Sequence, residues 1–361
     1  MSLSDVIADF DRRDWQTVDS GTVRFALIGL GWWTVDVAIP AIESSERCET
    51  TVLVSSSVDK AERIARQHDI DHGISYDDYH DGAVADAYDA VYIGTPNAYH
   101  KQYAETAAEN GKAVLCEKPI ESTIERAEAM VSTCEDAGIP FMTAYRMQTD
   151  PAARRARELV AQGVIGRPLY AHGTNSQPLL SMIPDKDQWR LDSELSGYGT
   201  SVMDLGIYPI NTARFILDRD PIAASADMAS EHEAFDDVED QWATFTLRYD
   251  DGISLLGSTS QHAEQKSSLS ITGTEGIVEL SPAFHGTATL HVKRDNLSIT
   301  LDNQAMDAEG EMTEEFDYFA DRVLGDGTIH PDGRHGLYDL QTIRAIHEAG
   351  DHDGDVPIAT D

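Results

Sequence analysis

The sequence predicts an α/β plus α+β chain: an N-terminal half with a parallel sheet, then a half built on a large, open-faced, mostly antiparallel sheet. Three observations carry this. Between residues 22 and 145, short apolar runs (VRFALIGLG, TTVLVSS, AVYIGTP, KAVLCEKP, IPFMTAY) alternate with helical stretches, the pattern of parallel strands joined by crossover helices. Beyond residue 150 the chain turns to extended segments of alternating polarity punctuated by YDDG, GTEG and RDN, as antiparallel strands and their turns require. At 361 residues the chain is too long for one ordinary core and suits two.

Taken in order, residues 1–21 read as an amphipathic arm, 22–147 as the first domain and 148–361 as the second. Helices of the first domain are expected over 60–68, 102–110 and 124–137; the last two run into Asn-Gly and Ala-Gly, where a glycine ends a helix. The second domain opens with a basic amphipathic helix, PAARRARELVAQG. PLYAHGTNS, QWATFTLRY, ISLLGSTSQ, SLSITGTEGIVELS and TATLHVKRDNLSITL then form its sheet. A helix over 203–217 packs on one face, and one over 337–349 returns to either domain. A sheet with one polar, uncovered face suits a homodimer or homotetramer.

Charge narrows the partners. The chain carries 64 acidic and 27 basic residues, a net charge of −37, which disfavours nucleic acid and anionic membranes. The acidic residues are spread from Asp5 to Asp361, and seven lysines accompany twenty arginines. A Lys-poor, Asp-rich surface over an ordinary core suits saturated brine: at 1 M salt the Debye length falls to roughly 3 Å and carboxylates cease to repel. Cys48, Cys116 and Cys134 lack metal spacing and fit a reduced compartment. No apolar run reaches the ~18 residues of a membrane span and the N-terminus lacks a signal-peptide core, so a soluble, cytoplasmic protein is expected.

The first strand ends in Gly29-Leu30-Gly31-Trp32-Trp33-Thr34. Glycines at this turn let a pyrophosphate approach the backbone, and the following helix N-terminus holds it; the alternative is an ordinary strand-helix turn. This identifies a Rossmann dinucleotide-binding domain, although Thr34 stands where a third glycine is usual. The second strand ends in Val54-Ser55-Ser56-Ser57, with Lys60 and Arg63 following, where an NAD enzyme carries a carboxylate. Hydroxyls and a cation suit the 2′-phosphate of NADP. A solvated helix face is the alternative for Lys60 and Arg63.

The fourth strand leads into Gly94-Thr95-Pro96-Asn97-Ala98-Tyr99-His100, and the fifth into Cys116-Glu117-Lys118-Pro119, both at carboxyl ends of parallel strands, where ligands bind. Lys118 could be a surface lysine before a turn. In a site, it would stabilise an oxyanion or lower a neighbour's pKa. In the second half Asp204 and Tyr208 are four apart and share a helix face, and a phenol becomes a useful base only beside a cation such as Lys118. His68 and His72 have no third ligand nearby, so no metal is expected.

GLGWW, VSSSVDKAE, IGTPNAYH, CEKP, AYRMQTDPAARRA, DQWRLDSELSGYGTSVMDLGIYPIN and VEDQWATFTLRYDDG together resemble the glucose-fructose oxidoreductase and inositol dehydrogenase family, over residues 23 to about 280. The resemblance implies that Lys118 lies beside nicotinamide and substrate, often with an unusual peptide geometry before Pro119. It also implies that Ser55 and Lys60 hold the 2′-phosphate, and that Arg146, Trp189 and Arg190 line the cofactor. The cofactor set expected is Gly29, Gly31, Trp32, Trp33, Ser55, Ser56, Lys60, Thr95, Pro96, Asn97, His100, Glu117 and Lys118 with those three. Tyr145, Asn175 and Tyr198 join Lys118, Asp204 and Tyr208 around the sugar.

The expected reaction is NADP-dependent oxidation of an aldose at its anomeric carbon, D-xylose ahead of glucose by resemblance. Tyr208 is the base, Lys118 stabilises its phenolate and the sugar oxygen, and Asp204 orients the hydroxyl. The alternatives are glucose-fructose oxidoreductase-like or dihydrodiol dehydrogenase activity, and a sensor that binds dinucleotide or sugar without turnover.

Overall fold

A computed structural model describes residues 11–285, 288–301, 308–325, 327–352 and 354–359, and each statement of presence or absence below refers to these. The start of the expected N-terminal arm, residues 1–10, lies outside them. The chain forms two compact units. One joins residues 15–146 to 308–337; the other joins residues 11–14 and 147–301 to the chain from 338 onward.

In the first unit, strands β1 (Val23–Ile28), β2 (Cys48–Ser55), β3 (His72–Ser75), β4 (Ala90–Ile93), β5 (Ala113–Glu117) and β6 (Phe141–Ala144) form one sheet in the order β3-β2-β1-β4-β5-β6. Every pairing is parallel. Phe25 to Ile28 are completely buried, which explains why β1 reads as a continuous apolar run: a parallel sheet is covered on both faces. Its neighbours β2 and β4 lead in opposite directions across the sheet, so the ends of β1 and β4 mark the crevice where such folds bind ligands.

Helix α1 spans 32–43, with a π-turn over Thr34–Ala38. Helices α2 (Val58–Gln67), α3 (Tyr76–His80), α4 (His100–Glu109) and α5 (Ile124–Ala137) follow. Helix α2 begins two residues before the expected start because Ser57 accepts from the Lys60 amide and caps it. Thr123 caps α5, and Gly138 ends it at φ +65°.

The sequence places all of 148–361 in the second domain; the structure assigns 308–337 to the first unit instead. Helix α8 (Ala308–Gly325) buries Met312, Phe316, Phe319 and Ala320, a stripe at helical spacing. Phe316 and Phe319 lie 5.2 and 6.1 Å, ring to ring, from Phe25 of β1. Residues 15–21 also belong here, with Trp15 edge-on to Tyr318 at 5.4 Å and the Thr17 amide donating to Asp321 at 2.9 Å.

The second unit begins with α6 (Pro151–Ala161), capped by Asp150. Its strands are β7 (Pro168–Ser176), β8 (Ala223–Ala229), β9 (Trp242–Arg248), β10 (Ser254–Ser260), β11 (Lys266–Gly273), β12 (Gly276–Leu280), β13 (Leu290–Arg294), β14 (Leu297–Leu301) and β15 (Val356–Pro357). They form one sheet in the order β14-β13-β12-β11-β7-β10-β9-β8-β15, antiparallel except for β7 with β10. Helix α7 spans 201–217, and α9 (Gly333–Gly350) closes the helical set.

Along β7, Ala171, Gly173 and Asn175 point inward. Pro209 of α7 sits so close that a Cβ on Gly173 would lie 2.5 Å from its Cβ. The other face carries His172, Thr174, Thr244, Thr246, Ser258 and Ser268, with Tyr170 and Leu256 41% and 44% exposed. No helix of the described residues is long and apolar enough to cross a membrane.

Candidate active site

Each unit holds a cluster of its own. In the first, the chain leaves β1 through Gly29, whose φ of +90° and a would-be Cβ 2.7 Å from Thr95 Cγ2 admit glycine alone. Gly31 differs: a Cβ there would meet no protein atom within 4 Å, so the backbone is open to a ligand. The Val35 amide donates to Gly31 O at 3.0 Å, placing the N-terminus of α1 at this turn, where a dinucleotide's phosphates are held.

Thr34, the departure from the usual glycine, is completely buried and faces Gly94 at the end of β4. A Cβ on Gly94 would lie 2.7 Å from Thr34 Oγ1. The glycine needed for close helix-sheet packing has thus moved to the opposite strand. Trp32 is 52% exposed at the first turn of α1 and meets Trp33 edge-on at 5.4 Å.

At the end of β2, Ser55 is buried and accepts from the Ser57 amide at 3.4 Å, while Ser56 is exposed. Lys60 Nζ donates to Leu30 O at 2.6 Å. An ammonium has three donors, so the cation is held beside the glycine turn with capacity for a phosphate. Thr95 is buried with no hydrogen-bond partner for Oγ1 in the protein. Pro96 and the buried Asn97 start a short turn ahead of α4. These features fit a dinucleotide phosphate backbone.

Three residues expected at the ligand make close contacts within their own unit. His100 is completely buried between the Thr95 and Ile120 carbonyls, at 2.9 and 3.1 Å, and ties the two loops together. Arg146 is ion-paired with the buried Glu311 of α8. Tyr145 is 5% exposed and packs edge-on to His335 at 5.9 Å.

The Lys118-Pro119 peptide is cis and Lys118 is half-buried at the end of β5. Glu117 accepts from Tyr92 Oη at 2.7 Å and from the Lys118 amide at 3.2 Å. Near it stands Glu315 of α8, fully buried with neither carboxyl oxygen hydrogen-bonded. Burial pushes its carboxyl well above the ordinary range, Glu117 adds to the rise, and Arg146 opposes it.

In the second unit, α7 opens with a π-turn over Val202–Gly206, so Asp204 and Tyr208 span a wider turn than a regular helix provides. Arg190 Nε and Gln261 Nε2 each donate to Asp204 Oδ2 at 3.0 Å. The Arg190 guanidinium also lies 4.5 Å over the Trp189 ring. Arg190, expected along the cofactor, therefore anchors Asp204. Tyr208 is half-buried with its ring 5.6 Å from Phe284, and Tyr198 is half-buried ahead of α7. Asn175 is completely buried and donates to Leu205 O at 3.1 Å, bracing the π-turn, while its Oδ1 has no hydrogen-bond partner among the described residues.

Sequence reasoning singled out none of Gln261, Asp240, His347 and Glu315. Asp240 lies within the quoted VEDQWATFTLRYDDG segment, but the neighbours of all four come from distant parts of the chain.

Known proteins share this organisation. The profile described as "Oxidoreductase family, NAD-binding Rossmann fold" matches residues 23–145, and that described as "GFO/IDH/MocA C-terminal domain" matches 153–279. D-xylose 1-dehydrogenase [NADP(+)] of Haloarcula marismortui is 48% identical over 361 residues, 99% of each chain. D-xylose 1-dehydrogenase (NADP(+)) 2 of Haloferax volcanii is 29% identical, covering 91% of this chain and 98% of that one. Among solved structures, the aldose-aldose oxidoreductase of Caulobacter crescentus complexed with glycerol superposes with a TM-score of 0.86 at 26% identity, over 93% of this chain and 99% of that one.

Proposed function

The chain belongs to the GFO/IDH/MocA oxidoreductase family, and from that premise we propose that it oxidises an aldose, D-xylose first, to the sugar lactone with NADP. One observation carries the choice of cofactor: a serine-rich end of β2 without a carboxylate, beside a lysine held at the glycine turn. The 48% identity to a xylose dehydrogenase named for NADP(+) supports the substrate.

Bound NADP+ supplies the hydride acceptor. The backbone at Gly29 and Gly31 and the N-terminus of α1 hold its phosphates, and Lys60 with Ser55 and Ser56 binds the 2′-phosphate. Tyr208 removes the anomeric hydroxyl proton as the C1 hydride leaves, and Lys118 supplies the positive charge that favours the oxyanion and the phenolate. Asp204, its carboxylate fixed by Arg190 and Gln261, orients the sugar hydroxyl. We further propose that the Ser/Thr-rich sheet face bearing Tyr170 and Leu256 joins copies of the chain into a dimer or tetramer.

Steady-state NADPH formation with xylose, arabinose, ribose and glucose in concentrated KCl, with NADP and NAD in parallel, tests the reading. The largest kcat/KM is expected for xylose with NADP. Absence of turnover with every aldose would favour a sensor instead.

A further inference from the structure

Ahead of α7 the chain runs Ser196-Gly197-Tyr198-Gly199-Thr200. Gly197 takes φ +98°, a conformation that favours glycine. Gly199 is confined by two side chains from elsewhere: an added Cβ would lie 2.4 Å from Asp240 Oδ1 and 2.5 Å from His347 Cε1. Asp240 precedes β9 and His347 lies in α9, so the turn is gripped by two separate elements.

Asp240 is completely buried and accepts three hydrogen bonds from the start of α7: the Thr200 amide at 2.6 Å, the Val202 amide at 2.7 Å and Ser201 Oγ at 3.3 Å. Exposed amides at a helix N-terminus require acceptors and favour a negative charge. The side chain of Asp240, from a distant segment, performs the task that a local cap normally performs. Two residues beyond the Val202 amide, in the π-turn, stands Asp204, and its own amide donates back to Thr200 O at 3.0 Å.

His347 is 7% exposed, and neither ring nitrogen has a hydrogen-bond partner among the described residues. Its Nε2 lies 3.7 Å from Asp240 Oδ2, and its ring centroid is 6.5 Å from that of Tyr198. Two unsatisfied nitrogens in the interior are costly. The Asp240 carboxylate is the polar group that stands next to Nε2. Burial raises the Asp240 carboxyl above the ordinary range, and His347 and the two amides pull it back down.

We propose that Asp240 and His347 form a positioning pair that fixes the Gly197–Thr200 turn and, through it, the placement of Asp204 and Tyr208 on α7. Neither touches the reacting atoms; the pair acts by setting where the sugar-facing groups stand. The inference rests on the reading of Asp204 and Tyr208 as sugar-site residues. It adds a connection into that site from the segment before β9, hydrogen-bonded through Asp240, and from α9, packed through His347.

The test compares Asp240→Asn, His347→Gln and His347→Leu in the full chain. Asp240→Asn turns an amide donor toward backbone N–H groups. It is expected to lower kcat for xylose by about 10- to 100-fold, the scale set by displacing catalytic groups from afar, with NADPH affinity from fluorescence titration unchanged. His347→Gln keeps a donor toward Asp240 and is expected to retain most of the activity, whereas His347→Leu falls like Asp240→Asn. Amide hydrogen exchange at Thr200 and Val202 is expected to accelerate in Asp240→Asn while β1 and β4 keep their protection. This readout needs no substrate, so it stands even where the wild-type chain turns over no aldose, an outcome that would overturn the functional reading alone. Unaltered exchange at Thr200 and Val202 overturns the inference, as does loss of NADPH affinity equal to the loss of kcat, or full activity in His347→Leu.

Discussion

Lys60 Nζ donates to the carbonyl of Leu30 at 2.6 Å, tying the helix after β2 to the glycine turn after β1. On the proposed reading, this fixed cation stands where the cofactors NAD and NADP differ. Replacing Lys60 with Met removes a charge-assisted bond of about 1.5–3 kcal/mol. NADP affinity is expected to fall about 10- to 150-fold by fluorescence titration, with NAD affinity nearly unmoved. Equal losses for both would show that Lys60 only braces the turn.

Gly29→Ala and Gly31→Ala are expected to separate fold from binding. At Gly29, positive φ and the contacts with Thr95 and Gly94 cost about 1–3 kcal/mol, so Tm drops. At Gly31 the Cβ meets nothing in the protein, so Tm is kept while cofactor affinity falls. A destabilised Gly31→Ala would contradict this.

Tyr208→Phe removes one hydroxyl from a half-buried ring and is expected to lower kcat about 10²- to 10⁴-fold, the range for loss of a general base. NADPH affinity, measured on the same preparation, is expected to hold. Unchanged turnover would exclude Tyr208 from the chemistry.

Glu315 has its carboxyl raised well above 4.5 by burial and by Glu117. A group raised on folding stabilises fully below its ordinary pKa, and that contribution is lost as pH climbs through the raised value. Thermal unfolding is therefore expected to show wild-type stability declining above about pH 5 relative to Glu315→Gln, whose neutral amide does not ionise. The variant's advantage grows with pH; an advantage confined to acid would refute the assignment.

The net charge of −37 predicts stabilisation by salt. Raising KCl from about 0.1 M to about 1 M and beyond shortens the Debye length from roughly 10 to 3 Å, and Tm is expected to rise throughout. Equal Tm at both ends would mean that the acidic surface carries no such dependence.

The strand ends of the first unit were legible because their signals are local. Gly29 and Gly31 after an apolar strand, the serines with Lys60, and Lys118 before Pro119 occupy strand ends that periodicity alone locates. His100, Arg146, Tyr145 and Asn175 also gain contacts that no local signal announces. Each sits in or beside a motif, yet its side chain turns inward to carbonyls, Glu311, His335 or Leu205.

Alternation of polarity, turn chemistry and charge are written in neighbouring residues, so two sheets, a dinucleotide turn and an acidic surface follow from the chain without its fold. Partnership between distant residues is not so written. That α8 returns to β1, that Gln261 and Arg190 hold Asp204, and that Asp240 and His347 grip the turn ahead of α7 arise only on folding. Burial and proximity then give an otherwise ordinary Asp, His or Glu a partner, an altered proton affinity or a positioning role.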